Sequence, residues 1–154
     1  MNIKAIIFDW GRTLFDSDTK KEFEESKEAL AFCRDKGYRL ACASLVSIHA
    51  NANLEERTAQ IEKSFLRNFF EFVYVTNQDK DKILDKIVSE LKLPRKEILI
   101  VDDRMIRGIK YGNLRGHPTA WIQRGKFATE LPNKDTKDPT FILKSIGELK
   151  NIIP

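Results

Sequence analysis

Cysteine is nearly missing from this chain: Cys33 and Cys42 are the two it has. They sit at no metal-ligand spacing, so a disulfide scaffold and a cysteine-bound zinc are both excluded. The pair reads as reduced, buried thiols of a cytoplasmic protein. Histidine is as scarce, and His49 and His117 show no metal-ligand spacing either, so both read as structural or surface residues. No stretch approaches the roughly 18 apolar residues of a transmembrane helix. The apolar opening from Ala5 to Trp10 is short and interrupted by Asp9, so neither a membrane partner nor a signal peptide is expected. Repeats, low-complexity tracts and linkers are absent, with 7 Gly and 5 Pro among 154 residues, which leaves one domain covering 1–154. Neither sign of charge dominates: 27 Lys and Arg face 23 Asp and Glu, a net charge of +4. That excess mildly favours anionic partners and is too diffuse to argue for more than weakly supported nucleic-acid binding.

What the chain does have is a regular alternation of short β-branched runs and amphipathic stretches. Ile3 to Phe8 reads as a buried strand, and Asp9 to Asp18 as a loop. Phe23, Leu30 and Cys33 recur at helical spacing between Thr19 and Lys36, and Gly37 ends that helix. Tyr38 to Ala43 is the second strand, with Ser44 at its end. Ile48 to Asn53 is a loop, and Asn53 with Glu56 caps a helix bearing Ile61, Phe65 and Phe69. Phe65, Phe69 and Phe70 are assigned to the core. Phe72 to Val75 is a third strand, Lys80 to Leu91 a helix with Ile83, Ile87 and Leu91 inward, and Glu97 to Val101 a fourth strand closed by Asp102-Asp103. A helix over Met105 to Leu114, strands at Pro118 to Gln123 and Phe141 to Leu143, and a final helix opened by a Ser145/Glu148 capping box complete the pattern. Alternating strands and helices predict an α/β fold, a three-layer doubly wound parallel sheet.

In such sheets ligands bind beyond the carboxyl ends of the strands. Asp9, Ser44 and Asp102-Asp103 all fall there, and a helix opening at Lys80 brings its ammonium to the same edge. Carboxylates can hold Mg²⁺ and one can attack phosphorus, while lysine and hydroxyl can hold phosphoryl oxygens. Arg12 and Arg104 flank this edge and could hold a second anionic group of a substrate.

These residues also carry a resemblance. Phe8-Asp9-Trp10-Gly11-Arg12-Thr13-Leu14 resembles the first motif of the haloacid dehalogenase (HAD) superfamily, strand-Asp-x-Asp-x-Thr. Ser44 after Leu40-Ala41-Cys42-Ala43 is similar to the second motif, Lys80 to the third, and Ile98-Leu99-Ile100-Val101-Asp102-Asp103 to the fourth. The 23 positions from Lys80 to Asp103 single out Lys80, with Lys82 on the same turn as the fallback. The resemblance spans essentially the whole chain. It implies a HAD-like, Rossmannoid hydrolase: a Mg²⁺-dependent phosphatase in which Asp9 is the nucleophile of an aspartyl-phosphate intermediate. Mg²⁺ would be held by Asp9, the backbone carbonyl of Gly11 and Asp103, with Asp102 assisting. Ser44 and Lys80 would bind the phosphoryl group, Thr13 would fix the loop, and Arg12 would join the substrate contacts.

Two departures from that pattern stand out. Gly11 replaces the second Asp of the first motif, the general acid/base, whose loss typically costs about 10² to 10⁴ in rate and favours substrates with good leaving groups. Asp16 and Asp18 are the nearest acids that could stand in for it. Arg107 and Gly108 occupy the places of an acid that usually follows the fourth motif and supports the metal. Both departures also fit an alternative, a catalytically weak HAD fold serving as a binding or regulatory module. Only 35 positions separate Asp9 from Ser44 and 36 separate Ser44 from Lys80, so no cap domain is expected. An uncapped site suits a phosphorylated substrate of large size, and it disfavours dehalogenation, which needs an enclosed apolar pocket.

Overall fold

The computed structural model describes residues 1–47 and 53–154. The segment read as a loop at Ile48 to Asn53, and with it His49, falls almost wholly outside the described residues. The described residues form eight strands: β1 (Ala5–Phe8), β2 (Phe15–Asp16), β3 (Lys21–Glu22), β4 (Arg39–Leu45), β5 (Phe72–Thr76), β6 (Ile98–Asp102), β7 (Thr119–Ile122) and β8 (Phe141–Leu143). The α-helices are α1 (Ser26–Asp35), α2 (Leu54–Lys63), α3 (Lys80–Leu91) and α4 (Lys110–Arg115). Six strands form one parallel sheet in the order β5-β4-β1-β6-β7-β8, while β2 and β3 pair as a small antiparallel hairpin.

The sheet is covered on both faces, which is why its strands read as unbroken apolar runs. Along β1, Ile6 and Phe8 point into a core with Leu30 and Cys33 of α1 and Ile61 of α2. Ala5 and Ile7 point the other way, onto Leu84, Ile87 and Leu91 of α3 and Tyr111 of α4. The expected three-layer doubly wound architecture is present, and no separate cap domain occurs among the described residues. Among the described residues no helix is long and apolar enough to cross a membrane.

Several expectations need correction. The helix predicted from Thr19 begins only at Ser26. Residues before it are consumed by the hairpin: the Phe23 amide donates to the Leu14 carbonyl at 3.0 Å, and the Ser26 hydroxyl donates to the same carbonyl at 2.7 Å. The heptad spacing of Phe23 and Leu30 therefore reflects two separate anchors. At its other end α1 closes as predicted, with Gly37 at φ +88°, a conformation costly for residues carrying a Cβ. The helix capped by Asn53 stops at Lys63, where Ser64 turns extended, so Phe65 is 55% exposed while Phe70 is buried. On α3 it is Leu84, more than Ile83, that is buried alongside Ile87 and Leu91. The stretch after β6 is a wide turn over Met105–Ile109 followed by the short α4, since Arg107 leaves helical geometry. The last segment, Ile146–Asn151, is a 3₁₀ turn, and Ser145 makes no side-chain cap. Glu148 instead accepts from the Lys144 amide.

Candidate active site

The strand order reverses across β1 and β6, and a crevice opens at their carboxyl ends. Asp9 follows β1, Asp102 ends β6, and Lys80 opens α3 behind an Asp79 cap that accepts from the Asp81 amide at 2.9 Å. The Lys80 ammonium donates to Asp9 Oδ1 and to Asp102 Oδ2, each at 2.7 Å, and so ties the ends of two neighbouring strands together. Burial works against its charge, but the Asp102 and Asp9 carboxylates prevail and hold it protonated far above the usual lysine range. Lys82, on the same turn, is exposed and takes no part. Thr13, buried, donates to Asp9 Oδ2 at 3.2 Å. Burial would raise the Asp9 carboxyl, yet Lys80 outweighs it and keeps the group below its ordinary value.

The adjacent acids are not equivalent. Asp102 has both oxygens engaged: Oδ2 accepts from Lys80 and from the Gly108 amide at 2.9 Å, and Oδ1 accepts from the Arg104 amide at 3.0 Å. Asp103, 3% exposed, faces Asp9 and shares a hydrogen bond with it. Burial, then the charges of Asp9 and Asp102, push the Asp103 carboxyl up to about 10, so it carries the proton between itself and Asp9 at neutral pH. Trp121 Nε1 donates to the Asp103 carbonyl at 2.9 Å and fixes this turn from below.

Gly108 explains how the site manages without an acid at that position. A Cβ there would lie 2.3 Å from Asp102 Oδ2. The space a side chain at 108 would enter is thus already filled by the Asp102 carboxylate, which reaches it from the end of β6.

Asp9, Asp102 and Asp103 each offer an oxygen within 4.8 Å of the others. Three carboxylates against one ammonium leave excess negative charge, and hard oxygen donors suit Mg²⁺. Oxygens of three carboxylates this close together are where a cation would neutralise this charge, so the donor set fits the ion. With Asp102 committed to Lys80 and two backbone amides, Asp9 and Asp103 are the carboxylates best placed to hold it, and Gly11 lines the same pocket.

Across the crevice, Ser44 is fully buried near the end of β4. Its Oγ accepts from Arg57 Nη1 at 2.8 Å, which leaves its own proton free to be donated. Arg57 comes from α2 and was not anticipated from sequence. It sits in Glu55-Glu56-Arg57, a charged stretch that looks like a solvated helix face, and only the packing of α2 turns it toward Asp9. Its guanidinium is partly desolvated, which weakens its hold on the proton without removing it. Arg57, Asp9 and Asp103 line a pocket of about 480 Å³ with Arg12, Lys20, Arg104, Arg107 and Lys126. Arg12 adopts φ +64° and pairs with Asp18 at 3.4 Å, so it reaches the pocket already partnered. Arg104 lies 3.7 Å over the Phe127 ring and pairs with Glu130 at 3.0 Å. Both tryptophans are buried: Trp10 Nε1 donates to Gln60 under the pocket, as Trp121 does to Asp103. His117 is a core residue, with Nδ1 3.1 Å from the Ile98 carbonyl.

No family model matches the sequence, and a search of curated proteins finds no match. Solved structures do match. An L-2-haloacid dehalogenase superposes with a TM-score of 0.79 at 13% identity, covering 99% of each chain. A HAD phosphatase from Thermococcus onnurineus gives 0.73 at 14% identity, covering 97% of each. YfnB from Bacillus subtilis, in a magnesium-bound form, gives 0.67 at 17% identity over 86% of this chain and 56% of its own. The strand order, the four motif positions at one sheet edge and these superpositions agree: this chain has the haloacid dehalogenase fold.

Proposed function

We propose that this chain is a HAD-superfamily hydrolase acting as a Mg²⁺-dependent phosphatase, with Asp9 as the nucleophile. The observation that carries the reading is the Lys80 ammonium held at 2.7 Å from both Asp9 and Asp102, with Asp103 beside them and the Ser44 hydroxyl opposite. Lys80 keeps Asp9 ionised, as a nucleophilic carboxylate must be, and Thr13 orients it. In this reading Ser44 and Lys80 would receive phosphoryl oxygens as Asp9 attacks phosphorus. Mg²⁺ held by Asp9 and Asp103 would offset charge on the phosphoryl group. Asp102 positions Lys80 and the turn carrying Gly108. The polar, cation-rich pocket favours phosphate esters over haloacids, whose chemistry needs an apolar enclosure.

The test is turnover of p-nitrophenyl phosphate with Mg²⁺ by the wild type and by Asp9→Asn. The wild type should release phosphate, and the variant should fold with the same thermal midpoint to within a few degrees and release none. Full activity in Asp9→Asn overturns the covalent mechanism. Absence of turnover in the wild type, with phosphate or a phosphorylated ligand still bound, favours a binding or regulatory module built on this fold.

A further inference from the structure

A phosphatase reading leaves the departing oxygen without a carboxylic-acid proton donor among the described residues. Position 11 has no side chain, Asp16 accepts the Asp18 amide, and Asp18 is 76% exposed and paired with Arg12. Asp103 is tied to Asp9. What faces Gly11 is a hydroxyl and a cation: a Cβ at that position would lie 3.4 Å from Ser17 Oγ and 3.7 and 3.8 Å from the two terminal nitrogens of Arg57. Arg57 Nη1 also donates to Ser44, and its Nε is buried without a hydrogen-bond partner among the described residues. A guanidinium stays protonated at neutral pH, so it cannot act as the acid, but it can stabilise an oxygen that leaves as an anion. The wall beyond it adds Lys20, Arg107 and Lys126, none of which has an acidic partner among the described residues. Outside the carboxylate centre, Glu56 and the already paired Asp18 are the pocket's acids.

We infer that Arg57 is a catalytic residue that stabilises the leaving oxygen, and that the substrate is a phosphoric anhydride whose leaving group is a second phosphate held in this cationic wall. This rests on the phosphatase reading above. In the step, an Asp9 oxygen forms a bond to the terminal phosphorus, and the bond from phosphorus to the bridging oxygen breaks. Its electron pair stays on that oxygen, which departs unprotonated beside Arg57. Water then attacks the aspartyl-phosphate at phosphorus and the bond to Asp9 breaks. Asp9 returns as a carboxylate, and both protons of the water end on the released phosphate as dihydrogen phosphate. An alkyl ester would have to expel an alkoxide and gains little from a cation that cannot give up its proton.

The experiment measures kcat and KM with Mg²⁺ for adenosine diphosphate, inorganic pyrophosphate, acetyl phosphate, p-nitrophenyl phosphate and glycerol 3-phosphate. The anhydrides should exceed the aryl and acetyl phosphates by roughly tenfold or more in kcat/KM, and glycerol 3-phosphate should be poorest. Arg57→Gln should lower kcat on the anhydrides by about 10² to 10³, the usual worth of a placed charge-stabilising donor, and on the aryl ester by less. Arg57→Lys should recover part of the loss. Should Arg57→Gln fail to fold, Arg57→Lys and a wild-type competition decide: pyrophosphate should inhibit aryl turnover at concentrations roughly tenfold below inorganic phosphate. Equal losses on anhydride and aryl substrates, or acetyl phosphate matching the anhydrides, overturn the inference while Asp9-dependent aryl turnover leaves the phosphatase reading standing. No turnover of any of the five substrates overturns both.

Discussion

Asp103→Asn should make the metal-free protein more stable near neutral pH, although it removes a buried, hydrogen-bonded side chain. In the folded chain the Asp103 carboxyl is pushed from 3.8 up to about 10 by burial and by Asp9 and Asp102. The unfolded chain releases that proton near pH 4, while the folded chain holds it. Stability from this group is therefore highest below about pH 4, falls as pH rises, and levels off above about pH 10. At pH 7 the carboxyl sits 3.2 pH units above its ordinary 3.8, a cost with a ceiling of about 4 kcal/mol. Asparagine is neutral at every pH and can still donate to Asp9, so it escapes that cost. Allowing for relaxation around Asp9, the gain should be about 1 to 3 kcal/mol at pH 8, or roughly 3 to 9 °C in Tm for a chain of this size. Thermal and urea unfolding in a chelator at pH 4, 6 and 8 would read it, with the gain smallest at pH 4 and largest at pH 8. Saturating Mg²⁺ should reverse the order, raising the wild-type midpoint and leaving Asp103→Asn where it was. A variant that loses equal stability at pH 4 and pH 8 would show that Asp103 carries no such burden, and the reasoning would fail.

Lys80→Met leaves two buried carboxylates without their shared cation and should cost about 3 to 5 kcal/mol in urea unfolding; a neutral result would refute the bridging geometry. Gly108→Ala forces a methyl group to 2.3 Å from Asp102 Oδ2 and should lower stability by about 1 to 3 kcal/mol, with weaker Mg²⁺ binding by calorimetry; an unchanged melt would mean that Asp102 can swing clear. Gly11→Asp should fold, since a Cβ there meets nothing closer than Ser17 Oγ at 3.4 Å. Its carboxylate would pair with Arg57 and be held low, so alkyl-phosphate turnover should rise by much less than the roughly 10² to 10⁴ of a well-placed acid. A full-sized rise in the alkyl-to-aryl ratio would show that Arg57 does not face position 11.

The sheet could be read from the sequence because its strands are buried on both faces, so Ile6-Ile7-Phe8 and Leu99-Ile100-Val101 stand out as apolar blocks that end in acids. The bounds of α3, Lys80–Leu91, were legible from the apolar repeat of Ile83, Ile87 and Leu91, although the packing buries Leu84 in preference to its neighbour Ile83. Asp9, Ser44, Lys80 and Asp103 could be named because each lies at the mouth of an element whose boundary was clear. Three things were hidden by causes that leave no local trace. The β2–β3 hairpin takes its register from the Leu14 carbonyl, across residues with no strand periodicity. Arg57 joins the site through the docking of α2, and the two residues before it, Glu55 and Glu56, make it look like part of a solvated charged face. The engagement of Asp102 by the Gly108 amide depends on a contact six residues away around a turn of irregular geometry.

That contact bears on how this sequence can change over time. Because the Asp102 carboxylate lies where a side chain at position 108 would go, the two residues behave as one heritable unit. A lineage can gain a side chain at 108 only after, or together with, the loss of the carboxylate at 102. The reverse order passes through a clashing intermediate. Among divergent descendants of this chain, an acid at 102 should therefore travel with glycine at 108, and a small residue at 102 with a side chain at 108. Swapping either residue alone between the two groups should harm a protein that tolerates the paired exchange.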